Sequence, residues 1–290
     1  MKFSALLLVP LLVLVLEAGQ TPATKPVPRM PDGTVNLGPP PGELGVWVPP
    51  NAGDERLVEL DNPDIPDPFA ITANTLLRTP RFDSGTSAVT QFKGKITESQ
   101  VPFQPWARAL YNEHQVNQWE PHTRCKPSGG PRALLTPYGF ELMMKPELGR
   151  IYIIDIGGPH SMRTIYLDGR AHPKDLAPSY MGHSIGRWEK DTLVVDTVGF
   201  NERFWFDRHG MPHTDKLHLT ERFSRPDFNT LEYELTVEDP GAYTAPWATG
   251  LLLRWNPAQD LFEYVCQDNN LFPDLMLEKP NAGEARRVFP

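Results

Sequence analysis

The sequence predicts an all-β fold: an antiparallel meander of about eight or nine strands closed as a barrel, preceded by one helix and a proline-rich arm. Three observations predict it. From Phe140 onward the hydrophobic period is two, clearest where Leu231, Tyr233, Leu235 and Val237 alternate with Glu232, Glu234, Thr236 and Glu238. Short turn sequences separate the apolar runs, among them Asp168-Gly169-Arg170, Glu189-Lys190-Asp191, Pro226-Asp227-Phe228-Asn229 and Asn256-Pro257-Ala258-Gln259-Asp260. Long βαβ crossovers are missing, which disfavours a parallel sheet. A meander of this length must remove its edges, and closure does so. A two-sheet β-sandwich is the structural alternative.

In chain order, residues 1–20 read as an export signal. Lys2 supplies the positive start, Ala5 to Leu16 form an apolar run of about a dozen residues, and small residues follow at Ala18 and Gly19. That run is shorter than the roughly 20 residues a membrane span needs, and no other segment of the mature chain is long and apolar enough. A secreted or periplasmic location follows. Residues 21–103 form the arm, punctuated by Pro39-Pro40-Pro41, Pro49-Pro50 and Asp64-Ile65-Pro66-Asp67-Pro68. Proline donates no hydrogen bond to a ladder, so such a stretch wraps a surface or links. Inside it, residues 45–48 are a first short strand.

The barrel domain spans 104–277. Its helix runs from Gln104 to Gln118, with Pro105 in the first turn and Trp106, Ala107, Leu110 and Tyr111 on one apolar stripe. Strands fit 140–146, 150–156, 162–168, 183–188, 192–198, 216–225, 231–237, 248–256 and 261–267. Residues 278–290 are a tail.

Composition narrows the function. The formal net charge of −8 argues against nucleic acid, whose phosphates need a basic surface; a small uncharged or cationic ligand suits it better. The two cysteines, Cys125 and Cys266, fit one disulfide in an oxidising compartment; two buried thiols are the alternative. A Cys₄ zinc site is excluded.

Several segments together resemble a family of uncharacterised exported bacterial proteins. They include Arg124-Cys125-Lys126-Pro127, Tyr166-Leu167-Asp168-Gly169-Arg170, the run from Gly182 to Gly199 (Gly-His-Ser-Ile-Gly-Arg-Trp-Glu-Lys-Asp-Thr-Leu-Val-Val-Asp-Thr-Val-Gly), Pro212-His213-Thr214-Asp215 and Thr220-Glu221-Arg222-Phe223. The resemblance implies export and no particular reaction. Gly45-Val46-Trp47 is also similar to the Gly-X-Trp that opens lipocalin barrels, so a lipocalin-like barrel is the expected form.

Six of the eight histidines fall between Gly157 and Phe223, and histidine is the side chain suited to proton transfer or metal binding near neutral pH. His183 and Asp196 lie on one expected hairpin and come near each other across it. A carboxylate beside an imidazole prepares a general base or a metal ligand. With Arg222 they form the candidate catalytic set. Ser184 follows His183 directly and points to the other face, and no Gly-X-Ser-X-Gly elbow is present.

Strand 216–225 carries His218, Thr220, Arg222 and Ser224 on one face, and Leu217, Leu219, Glu221 and Phe223 on the other. With the polar face inside, His218 and Arg222 line a cavity. With the apolar face inside, Glu221 is a lone carboxylate with a raised pKa. Trp188, Phe204, Trp205, His218 and Glu221 are the ligand-binding candidates, with Phe204-Trp205-Phe206 as a pocket lid. His209, His213, His218 and Asp215 could converge on a divalent metal, the one cofactor these residues suggest, although no His-Glu-X-X-His occurs. His160 and His172 each adjoin proline and fit turn roles.

The leading functional expectation is a small, partly apolar ligand held in the barrel cavity. The alternatives are an exported hydrolase or proton-transfer enzyme and an interaction module. The oligomeric state stays open.

Overall fold

The structure is a computed structural model describing residues 25–49, 56–59, 61, 94–116, 120–268 and 270. The expected export signal, the C-terminal tail and most of the arm between residues 50 and 93 lie outside them. Among the described residues the strands are β1 (Val46–Val48), β2 (Phe140–Lys145), β3 (Arg150–Asp155), β4 (Met162–Tyr166), β5 (His183–Glu189), β6 (Thr192–Val198), β7 (His218–Asp227), β8 (Thr230–Glu238) and β9 (Trp247–Asn256), with one α-helix, α1 (Pro105–Val116), and four short 3-10 turns. They close in sequence order as a barrel of lipocalin-like form. The seam is β1 on β9, with Trp47 opposite Trp255. Gly45 leaves the Trp255 ring room there, since a Cβ on it would lie 2.1 Å from that ring.

One joint departs from the expected antiparallel meander. Strands β4 and β5 pair in parallel, Ile165 opposite Ser184 and Tyr166 opposite Ile185. Asp168-Gly169-Arg170 does turn the chain, yet it feeds an irregular return over residues 167–182 instead of a hairpin partner. The return is tied to the end of β6 by Ser179 N–H to Gly199 O (3.0 Å) and Asn201 N–H to Ser179 O (2.8 Å). The expected strand at 261–267 is also absent. Once β1 pairs with β9 no edge remains for it, and the segment is irregular. The Cys125–Cys266 disulfide and the Tyr264 N–H to His160 Nε2 contact (2.7 Å) hold it.

The helix buries a narrower stripe than expected. Ala107 and Tyr111 are buried, while Trp106 and Leu110 lie on its exposed flank, where the Trp106 indole donates to Gly241 O (2.9 Å). The described arm seals one barrel end. Val35 and Leu37 join the core, and the Trp47 indole donates to Leu37 O (2.7 Å). From the barrel, Arg225 donates to Asn36 O (2.7 Å), Gly38 O (2.9 Å) and Phe228 O (2.7 Å). Its guanidinium lies over the rings of Trp47, Phe228 and Trp255.

The apolar face of each strand points inward. Ile151, Ile165, Val195, Leu219, Phe223 and Tyr233 are each 0 % exposed, so side chains and not an open cavity fill the barrel's middle. Glu221 also points inward, and it is not the lone carboxylate expected. Arg163 on β4 pairs with it through both carboxylate oxygens, and Tyr233 Oη donates to Oε1 (2.8 Å). The guanidinium also donates to Ser184 Oγ (2.8 Å) and Thr197 Oγ1 (2.7 Å). This ionic centre is sealed from solvent.

Candidate functional site

The polar face of β5, β6 and β7 is the outer wall. His183, Asp196 and His218 therefore stand on the outside, each histidine two residues along its strand from the residue opposite Asp196: Asp196 is opposite Ile185 on one side and Thr220 on the other. His183 and Asp196 do not touch directly. His172, from the 167–182 return, sits between them. Its Nδ1 meets His183 Nδ1 at 2.8 Å, and its Nε2–H donates to Asp196 Oδ1 at 2.7 Å. On the far side, His218 Nε2–H donates to Asp196 Oδ2 at 2.5 Å. The four side chains form one hydrogen-bonded line, His183–His172–Asp196–His218.

The local sequence explains the placement. Gly182 adopts φ +62°, and a Cβ there would lie 2.7 Å from Val198 O, so glycine lets the chain enter β5 against the end of β6. Gly199 adopts φ +77° and receives Leu176 of the return; a Cβ would lie 2.2 Å from its side chain. These two glycines bound the Gly182–Gly199 run. Tyr166 stacks on the His183 ring (5.2 Å between centroids, 22° between planes). Arg170 lies over the Tyr166 ring at 3.9 Å and pairs with Asp168.

Electrostatics follow from this packing. Burial pushes the His183 imidazole below its ordinary pKa, and the neighbouring His172 and Arg170 charges act the same way. Burial alone would raise the Asp196 carboxyl, but hydrogen bonds from His218 and His172 outweigh it and hold Asp196 below the usual carboxylate range. Beside this line opens a cleft of about 530 Å³, lined by His183, Tyr166, Thr164, Met162, Tyr180 and Ser179 among others. No Asp, Glu, Lys or Arg lines it. That volume suits a small organic molecule.

The other candidate residues lie elsewhere. Arg222 is on the outer wall but opposite Val194, where it pairs with Glu189 (3.0 Å) and Glu234 (3.9 Å) and not with the histidines. Trp188 points inward and packs against the core. Phe204 is buried against Phe200 and His213, and Trp205 stacks on His114 at 4.0 Å. Phe204 and Phe206 of the loop expected as a lid are part of the barrel's core cluster. Glu221 is sealed inside, out of reach of the cleft.

The expected metal set does not assemble. His209 and His213 are buried in the loop before β7, Asp215 is exposed, and His218 is committed to Asp196. Among the described residues no group of three or more His, Cys, Asp or Glu is placed to hold a metal ion. His172 is the participant that sequence reasoning assigned to a turn. The signal that could have found it is length, because 167–182 is far longer than the two to five residues of an ordinary hairpin loop. Comparison with protein-family models, curated proteins and solved structures finds no match to the chain in any of the three.

Proposed function

We propose that this chain is an exported β-barrel protein that binds a small, partly apolar molecule in the cleft on its outer wall. The carrying observation is the cleft of about 530 Å³ with His183 fixed in its wall, stacked on Tyr166 and tied through His172 to Asp196. An anchored imidazole adds a fixed polar contact to a cleft without charged lining residues, beside the hydroxyl-bearing Ser161, Thr164, Tyr166, Ser179 and Tyr180, and a few placed polar groups on an otherwise apolar wall are usual in ligand sites. The filled barrel interior favours the wall over the lumen. Export is supported by the apolar run behind Lys2 and by the Cys125–Cys266 disulfide.

Native mass spectrometry of gently purified protein tests the reading, compared with Thr164→Trp, which fills the cleft. A bound small molecule should accompany the wild type and be lost from the variant. No bound species, or equal retention in the variant, would refute it.

A second reading, proton-transfer or hydrolytic catalysis, is favoured by the Asp196–His172–His183 alignment. A carboxylate there orients one imidazole, which contacts a second in the cleft wall. His172→Ala distinguishes the two. A catalyst loses turnover while still binding substrate, whereas a binding protein shows only altered affinity.

A further inference from the structure

Proton counting along the line of four side chains defines what His183 offers the cleft. An ionised carboxylate only accepts hydrogen bonds, and each Asp196 oxygen is taken by the Nε2 of a different imidazole. Both of those nitrogens therefore carry hydrogen. A neutral imidazole has one N–H, so Nδ1 of a neutral His172 is a bare acceptor. The 2.8 Å contact then requires the hydrogen on His183 Nδ1. His183, also neutral, is left with a bare Nε2. With both rings neutral no other order satisfies the line. The His183 ring makes no other hydrogen bond among the described residues, and the residue lines the cleft.

We infer that His183 Nε2 is the hydrogen-bond acceptor for a neutral, apolar-bodied ligand bearing one hydroxyl donor, of the phenol or naphthol class, and that one added proton reverses its polarity. The inference rests on the cleft being the ligand site. A proton arrives at His183 Nε2, and the Nδ1 hydrogen of His183 passes to His172 Nδ1. The positive charge then rests on His172 beside Asp196. His183 stays neutral, accepts at Nδ1 and presents Nε2–H to the cleft. A second proton would set two N–H groups face to face and break the His172–His183 contact.

The groups facing this pair come from every neighbouring element. They are Tyr166 on β4 with Arg150 of β3 above it, Asp168 and Arg170 in the return, Asp196 on β6 and His218 on β7. Asp196 is the carboxylate in contact with His172, while burial and the Arg170 charge disfavour a positive charge on His183. The uncharged lining fits a neutral ligand body.

The test compares 2-naphthol with 2-methoxynaphthalene, which keeps the oxygen and lacks the donor, by titration calorimetry of the full chain. Near pH 8, above the ordinary histidine range, 2-naphthol should bind about tenfold tighter, the worth of one hydrogen bond. Near pH 5 the ratio should fall towards one, because Nε2–H can donate to either oxygen. His183→Phe, which keeps a ring for Tyr166 to stack on, should show no preference at either pH. Equal binding of the two compounds by the wild type at the higher pH, or a preference surviving in His183→Phe, would overturn the acceptor assignment and leave the cleft standing. A ratio unchanged with pH would overturn the reversal. If neither compound binds at all, the cleft reading falls and this inference with it.

Discussion

Glu221→Ala should be among the most damaging single substitutions in the barrel. It leaves the Arg163 guanidinium, sealed at the centre, facing only the hydroxyls of Ser184 and Thr197, and it strands the Tyr233 hydroxyl. Removing one partner of a buried ion pair costs about 3–5 kcal/mol, and the orphaned hydroxyl adds about 1 kcal/mol. The sum, about 4–6 kcal/mol, approaches the whole stability of many domains. The triple variant Arg163→Met, Glu221→Leu, Tyr233→Phe removes every charged partner together and should return to within about 2 kcal/mol of wild type. Arg222→Ala, on the outer wall, should have no measurable effect, because its carboxylate partners are solvated. Urea unfolding followed by tryptophan fluorescence, with the disulfide intact, gives all three values. The reasoning is refuted if Glu221→Ala loses less than about 1 kcal/mol, or if the triple variant is as unstable as the single one.

Four further outcomes follow from the same structure. Burial holds the His183 and His213 imidazoles below their ordinary pKa, so the unfolded chain binds their protons first. Stability should be full above about pH 6.5 and fall as pH drops through the folded pKa values, and His213→Phe should flatten that slope in a pH series of unfolding curves. Reducing Cys125–Cys266, which closes a separation of 141 residues, should cost up to about 5 kcal/mol on the chain-entropy estimate; a melting temperature unchanged by reductant would contradict this. Burial pulls Arg225 down to about 10, still cationic at neutral pH, and Arg225→Ala should release residues 25–44 to limited proteolysis while a wild-type sample stays protected. Gly199→Ala drives a methyl into Leu176 at a positive φ, so it should lift the return and shift the ¹⁵N resonances of His172 and His183; unchanged resonances would disprove the packing.

The barrel was legible because its cause is local. Alternation in 230–238 and the turn at Glu189-Lys190-Asp191 fix strand direction and face from neighbouring residues alone, and the register His183 opposite Val198 follows directly from that turn. What could not be read depends on contacts distant in sequence. Arg163 looks like an ordinary strand residue until Glu221, 58 positions away, meets it inside the barrel. The missing strand at 261–267 fails for a similar reason. Its apolar residues fit a strand, but β1 occupies the edge of β9, a pairing that local pattern does not encode. His183, Asp196 and His218 each stand out in the sequence as chemical candidates, whereas His172, which links His183 to Asp196, does not, because it belongs to the return.

That return ties topology to function. In an uninterrupted meander each strand's outer face looks straight into solvent, and an imidazole there has no second wall to work against. The parallel step from β4 to β5 obliges the chain to travel back along the barrel, and residues 167–182 do so outside it. The crossing brings His172 onto Asp196 and Leu176 onto Gly199, and its end at Ser179–Gly182 forms one side of the cleft whose other side is the outer face of β4. An irregular segment costs ordering entropy that ladder hydrogen bonds do not offset. Here the Leu176 packing and the two backbone bonds at Ser179 offset part of it. The one joint where the barrel gives up its regular antiparallel pairing is also where polar side chains converge outside it, as expected where a fold departs from its own simplest pattern.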